Sequence, residues 1–275
     1  MNGALPIVLT LLLAVAGCTR ASRPSPTCPA IGGLDAVVKP GALVLFGEIH
    51  GTNEIPDFVG DVACAAARKE RVHVGLELPA SDSHLLARFL GGRDDDGLRE
   101  SKFWRSSSPY GVTSRAMLAL LQRLREYRRS GAPIDVFFFD ERARSGLARR
   151  DEAMAESISR ERRRAFSGIY LVLVGNYHAR NIVGAPWDPE KRWMASFLSQ
   201  REPGLVTLDF RSLPGSAWMC VQKVGGGEIC GSNPIKGTDD ATSTRAVRLE
   251  PDPGLGYDGV YWVGAITASP PAFPP

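Results

Sequence analysis

LVLFGEIHG, residues 43–51, carries four consecutive apolar residues into a glycine, a glutamate, an isoleucine, a histidine and a second glycine. Four apolar residues in a row, with no polar alternation, suit a strand buried on both faces, as in a parallel sheet covered by helices. The pair Glu48 and His50 then stands at the carboxyl end of that strand, where an open parallel sheet binds its ligands.

The same kind of run recurs. With ALVLFG (42–47) the chain holds RVHVGLEL (71–78), IDVFFFD (134–140), GIYLVLVGN (168–176) and GLVTLDF (204–210). Between them lie segments of helical period: Ile55, Phe58, Val59, Val62 and Ala63 after Thr52 or Asn53, then Ser81–Leu90, Thr113–Arg129, Ser145–Arg164 and Trp187–Gln200. This alternation predicts an α/β fold, a mainly parallel β-sheet with helices on both faces. The tail from Trp218 turns to hairpin patterns and ends in the strand-like GVYWVGAIT (259–267), so the fold carries a C-terminal β-hairpin extension. Residues 35–275 show no internal boundary and read as a single domain.

The N-terminus is a different material. MNGALPIVLTLLLAVAGC has the apolar length of a signal peptide and ends in Val15-Ala16-Gly17-Cys18, the pattern of a bacterial lipobox. Residues 1–17 are thus expected to be removed and Cys18 to take lipid. The Pro- and Ser-rich residues 18–34 are read as a tether between lipid and domain. No sorting aspartate follows Cys18, which favours the outer membrane of the bacterial cell envelope. In such a compartment cysteines pair, and four remain once Cys18 is set aside. Cys220 and Cys230 flank a hairpin-like VQKVGGGEI, which predicts one disulfide; Cys28 and Cys64 are left for the other.

A net charge of +3 over 275 residues is too small to argue for nucleic acid. The basic runs at 123–129 and 160–164 sit on helical patterns without interleaved aromatics and read as solvated faces. No G-x-S-x-G elbow, P-loop or G-x-G-x-x-G occurs, so serine-hydrolase and nucleotide readings find no motif.

Ionisable residues instead collect after the apolar runs: Glu48 and His50, Glu77, Asp140 to Arg142, Asn176 and His178, Asp209 and Arg211. The first and fourth runs end alike, in GEIH (47–50) and GNYH (175–178). Glu48, His50, Glu77 and His178 suffice for acid/base catalysis, a carboxylate orienting a proton-moving imidazole. His50, His178 and Glu48 equally suit a divalent metal, and the sequence does not choose. His73 reads as a core position and His84 as surface. FWRSSSPYGVTS (103–114), with Trp104, is expected to rim the pocket; Arg150 near the start of its helix could neutralise Glu77 or bind an acidic substrate group.

LFGEIHGTNEIP, VGLELP, FFFDERARSGLARRDEAMAESI and LVLVGNYHAR, in that order over residues 40–215, resemble the superfamily that joins ChaN-type haem-uptake lipoproteins, Tiki/TraB-type proteins and erythromycin esterases, with the ChaN-like branch nearest in kind. The resemblance implies a parallel α/β fold with a site of Glu48, His50, Glu77, Arg150, Asp151 and His178 at the strand ends. From the esterase branch it implies water activation by the first motif; from the Tiki branch, a metal; from the ChaN branch, haem, through residues that do not map onto this sequence. Arg150, Asp151, Trp104 and Tyr177 are the candidate substrate-binding residues. The expected function is a lipid-anchored hydrolase acting on an ester or amide. The alternative is an uptake lipoprotein that binds haem or a metal without catalysis. The expected partners are the membrane, through the lipid, and a small-molecule ligand or substrate.

Overall fold

The computed structural model describes residues 27–273 apart from 93–95, 107–110, 143–145, 147–148, 166, 224 and 239–243. The signal segment, Cys18 and most of the tether lie outside the described residues. The strands are β1 (Leu43–Glu48), β2 (Val72–Pro79), β3 (Ile134–Asp140), β4 (Ile169–Gly175), β5 (Val183–Ala185), β6 (Asp188–Arg192), β7 (Leu205–Leu213), β8 (Gly215–Gln222), β9 (Glu228–Ile235), β10 (Ala246–Asp252) and β11 (Tyr257–Ala265). The helices are α1 (Glu54–Ala66), α2 (Ser83–Gly91), α3 (Asp96–Arg99), α4 (Arg115–Arg129), α5 (Arg150–Ala165) and α6 (Met194–Leu198).

Seven strands form one sheet in the order β10-β11-β7-β1-β4-β2-β3, parallel throughout except for the edge pair β10 and β11. The predicted mainly parallel sheet with helices on both faces is what forms. β1 lies at its centre and every one of its residues is buried. Alternate side chains enter two cores: Val44 and Phe46 join the one built with α1 and α4, Leu43 and Leu45 the one built with α5 and α6. A run with no polar alternation is the pattern such a doubly covered strand requires.

α4 shows how local signals set an element. Ser114 caps it, its hydroxyl accepting from Met117 N at 3.2 Å, and Met117, Leu120, Leu121 and Leu124 are buried along one face. The expected helix over 187–200 is corrected: β5 and β6 form a two-stranded hairpin, and only Met194–Leu198 is helical. Asp188 to Arg192 offer no apolar residue to either core, so burial cannot hold a helix there; the apolar face starts at Met194. Asp188 instead accepts from Glu190 N at 3.0 Å and shapes the hairpin.

The C-terminal part is more than an appendage. β8 and β9 form the predicted hairpin, with Cys220 directly opposite Cys230 and bonded to it. β11 joins the main sheet beside β7, and Tyr261 donates its hydroxyl to Gly47 O at 2.7 Å. Cys28 is bonded to Cys64 in α1, as expected. The expected tether is shorter at its end than 18–34: Gly32 pairs with Ala246 of β10, and Leu34 is buried. Among the described residues no helix is long and apolar enough to cross a membrane.

Candidate functional site

β1 and β4 are neighbours whose chains leave for opposite faces of the sheet, toward α1 and toward α6. Such a divergence opens a crevice at the carboxyl ends of the strands. His50 follows β1 and His178 follows β4, so the two similar motifs face the same opening.

Glu48 is the last residue of β1 and is 2% exposed, while the His50 side chain retains 22% of its surface. His50 Nδ1 lies 2.9 Å from Glu48 Oε1, and its Nε2 lies 3.6 Å from Glu77 Oε2. The Glu48 carboxylate can only accept, so the Nδ1 hydrogen points to it and Nε2 is the nitrogen on the Glu77 side of the ring. Burial works against charge on the ring, but the adjacent Glu48 carboxylate, with further help from Glu77, outweighs it and raises the His50 pKa to about 9.

Glu77, near the end of β2, is 3% exposed. Its Oε2 accepts from Gly175 N at 2.7 Å, and its Oε1 is hydrogen-bonded by Arg150. Burial would push this carboxyl up; the imidazoles of His178 and His50, the Arg150 guanidinium and the Gly175 N–H together hold it at about 2.

Arg150, the first residue of α5, is the hub. Its Nε and Nη2 reach the two oxygens of buried Asp140, at 3.1 and 3.0 Å, and its Nη1 stands 2.9 Å from His178 Nε2. A guanidinium has only donors, so His178 Nε2 accepts and the ring hydrogen sits on Nδ1, which donates to Asp151 Oδ1 at 2.6 Å. Asp151 also receives Lys191 Nζ at 2.7 Å and Met194 N at 2.9 Å. Burial alone would raise the Asp151 pKa, but the His178 and Lys191 bonds hold it below the ordinary range.

The glycines of the two motifs owe their place to close approach. A Cβ on Gly175 would lie 3.0 Å from His50 Nε2, and one on Gly47 would lie 3.1 Å from both Asn176 Cα and Leu208 O. Glycine at 175 lets the histidine of the first motif lie against the fourth strand.

Six of the expected site residues, Glu48, His50, Glu77, Arg150, Asp151 and His178, are thus brought together. Trp104 is not with them: it is 1% exposed and packs on Phe273, ring centres 5.7 Å apart, in the core instead of at a rim. Tyr177, 49% exposed, forms an aromatic cluster with Trp187 and Trp193, of which Trp193 lies 6.3 Å from the His178 ring. Two participants were not among the expected site residues. Asp140 could be noticed only as an acid at a strand end, and Lys191 was hidden by the expected helix.

A divalent metal does not fit these donors as they stand. No group of three or more His, Cys, Asp or Glu among the described residues is arranged to hold one. The physical reason is Arg150: it sits between Glu77, Asp140 and His178 and takes the lone pair that His178 would offer a metal. The same bond withholds that nitrogen from haem iron.

No family model matches the chain, and no curated protein matches it. Among solved structures, a histidine-to-asparagine variant of the erythromycin esterase EreC in its open conformation is similar over 85% of this chain and 93% of that one, with 12% identity and a TM-score of 0.60. A succinoglycan biosynthesis protein is similar over 86% and 91%, with 9% identity and a TM-score of 0.54. A protein from Bacillus cereus is similar over 87% and 92%, with 10% identity and a TM-score of 0.50. At these identities the likeness shows the fold, which is the fold the motif resemblance implied.

Proposed function

We propose that the chain is a hydrolase of esters or amides in which His50 activates water. The observation that carries this is the His50 imidazole, 22% exposed, fixed at Nδ1 by Glu48 with Nε2 3.6 Å from the Glu77 carboxylate. Neutral His50 takes a proton from water at Nε2 as the water oxygen bonds to the carbonyl carbon. Glu48 and Glu77 stabilise the imidazolium that forms, and His50 returns the proton to the departing alcohol or amine.

The negative charge that develops on the carbonyl oxygen needs a donor. Among the described residues, four of the five Arg150 N–H groups are used by Asp140, Glu77 and His178, which leaves one on Nη1 for the oxyanion. His178 and Asp151 hold Arg150 in place, so His178 is assigned a positioning role. The erythromycin esterase likeness supports an ester as the substrate bond. Replacing His50 with Ala should remove turnover of a 4-nitrophenyl ester while leaving the circular dichroism spectrum unchanged; an undiminished rate would remove His50 from the mechanism.

Binding of haem without chemistry competes for the same cleft. Titration with haemin discriminates, because a saturable Soret shift lost on Tyr177→Ala would favour uptake. We also propose lipid attachment at Cys18, supported by Val15-Ala16-Gly17-Cys18 and by two disulfides that suit an oxidising envelope. Labelled palmitate incorporated by the full-length chain, and not by Cys18→Ala, is the expected result.

A further inference from the structure

Beside the histidine centre lies a groove of about 710 Å³, lined by Asn176, Tyr177, Arg180, Asp209, Leu255 and Tyr257 among others. It adjoins the centre through Asn176 and Tyr177, which precede His178, and through Asp209 of β7, which is in register with Gly47 of β1. Three features of its wall have no use in the chemistry above.

Asp209 is 9% exposed. Its Oδ2 is bonded by Arg211 Nη1 at 2.6 Å, but Oδ1 is shielded from solvent and has no hydrogen-bond partner among the described residues. A buried acceptor left unpaired costs free energy, and a hydroxyl brought to the groove floor would relieve that cost. Arg180 donates Nε to Leu255 O at 2.8 Å and its guanidinium stands over one face of the Tyr177 ring, 5.9 Å from the centre; no further hydrogen bond of it is present among the described residues. Tyr177 is half exposed, with Trp187 5.9 Å and Trp193 5.4 Å away between ring centres.

A carboxylate oxygen without a partner among the described residues, a guanidinium with hydrogen-bond donors to spare among them and a half-exposed aromatic ring select different parts of one ligand. The carboxylate excludes an acidic group at the floor and calls for O–H donors. The guanidinium calls for oxygen acceptors. The rings call for a flat apolar face. A neutral pyranose has all three: vicinal hydroxyls that both donate and accept, and a C–H face that stacks on an aromatic ring.

We infer that this groove is a sugar subsite, in which Asp209 and Arg180 hold ring hydroxyls and Tyr177 carries the C–H face. Together with the adjacent His50 it defines the substrate class as an acyl ester of a sugar. That last step rests on the proposed hydrolysis; sugar binding does not.

The test is titration of the full-length protein with methyl glucopyranoside, methyl galactopyranoside, methyl mannopyranoside and cellobiose, read by tryptophan fluorescence from Trp187 and Trp193. A saturable change with at least one of these sugars is expected, weakened at least tenfold by Asp209→Ala and by Tyr177→Ala. Tyr177 is exposed, so its variant keeps the test valid if Asp209→Ala fails to fold. No saturable change with any of the four, or a change of equal affinity in the Tyr177 variant, overturns the proposal. Failure of the hydrolase reading shows separately, as an undiminished ester rate in His50→Ala.

Discussion

Arg150 Nη1 stands 2.9 Å from His178 Nε2, and that contact fixes the direction of every proton around it. His178 can only accept there, Asp151 can only accept at the other nitrogen, and Lys191 closes the chain. The most central cation of the site is a side chain held on three others. Through it the strand ends of β2, β3 and β4 are tied to the start of α5.

Arg150→Ala takes from the buried Glu77 and Asp140 the guanidinium they share, leaving Glu77 with the Gly175 N–H and the two imidazoles and Asp140 with Arg142. Removing one partner of a buried ion pair costs about 3–5 kcal/mol, whereas removing the buried charges with it costs far less. Urea unfolding should therefore find Arg150→Ala less stable by about that amount, and the triple change with Glu77→Gln and Asp140→Asn closer to the parent than the single. Equal losses in both would show that the network carries no such charge penalty.

His50 should impose opposite pH trends on stability and rate. Its folded pKa, about 9, lies above the ordinary 6.5, so its stabilising contribution is complete below 6.5 and is lost as pH rises through 9. The neutral ring is the base, so hydrolysis should climb over the same interval. Glu48→Gln removes the carboxylate that raises the pKa. The rising limb of kcat/KM should then move to lower pH, and a limb that stays put would exclude His50 as the titrating base.

β1 was legible because a central strand of a doubly covered sheet admits no polar residue, and Glu48 and His50 mark its end. The pairing of GEIH with GNYH was equally legible, since each motif closes an apolar run. Arg150 was legible as a cation at a helix start that could neutralise Glu77, but the bonds of Arg150 and Asp151 to His178 depend on the angle at which α5 meets the sheet, which no local pattern encodes. Trp104 shows the reverse error: an aromatic in a polar loop was read as a rim, yet Phe273, 169 positions along the chain, takes it into the core. Lys191 escapes the sequence reading because helical period is assigned to a stretch whose buried residues begin only at Trp193.

Asp209 should show a trade between stability and binding. Burial, the largest influence on it, raises its pKa in spite of Arg211. An acid with a raised folded pKa costs no stability below its unfolded value near 3.8, and the cost grows as pH rises from there through the folded value. Asp209→Asn keeps an oxygen for Arg211 and removes the charge. Its melting temperature at pH 7 should rise above that of the parent, while the two coincide near pH 3; a lower value at pH 7 would mean that the Arg211 pair outweighs the burial of Asp209.

Gly175→Ala separates position from stability. A Cβ there meets His50 Nε2 at 3.0 Å and Glu77 Oε2 at 3.4 Å, both at the far ends of side chains, with His50 Cε1 at 3.5 Å. Gly175 has φ −52° and ψ 136°, a backbone conformation that alanine adopts freely, so no strain of the main chain is expected. The imidazole must yield by a few tenths of an ångström, which moves Nε2 from the place where it takes the proton of the attacking water. Small displacements of a reacting group cost orders of magnitude in rate, on the order of 100-fold for 1 Å. Ester turnover in Gly175→Ala should fall by roughly ten- to a hundredfold, chiefly in kcat, with unfolding free energy changed by less than about 1 kcal/mol. Because Gly47 meets backbone at similar distances, Gly47→Ala should instead lower stability and rate together. If Gly175→Ala keeps its kcat, His50 does not act from the position it occupies here.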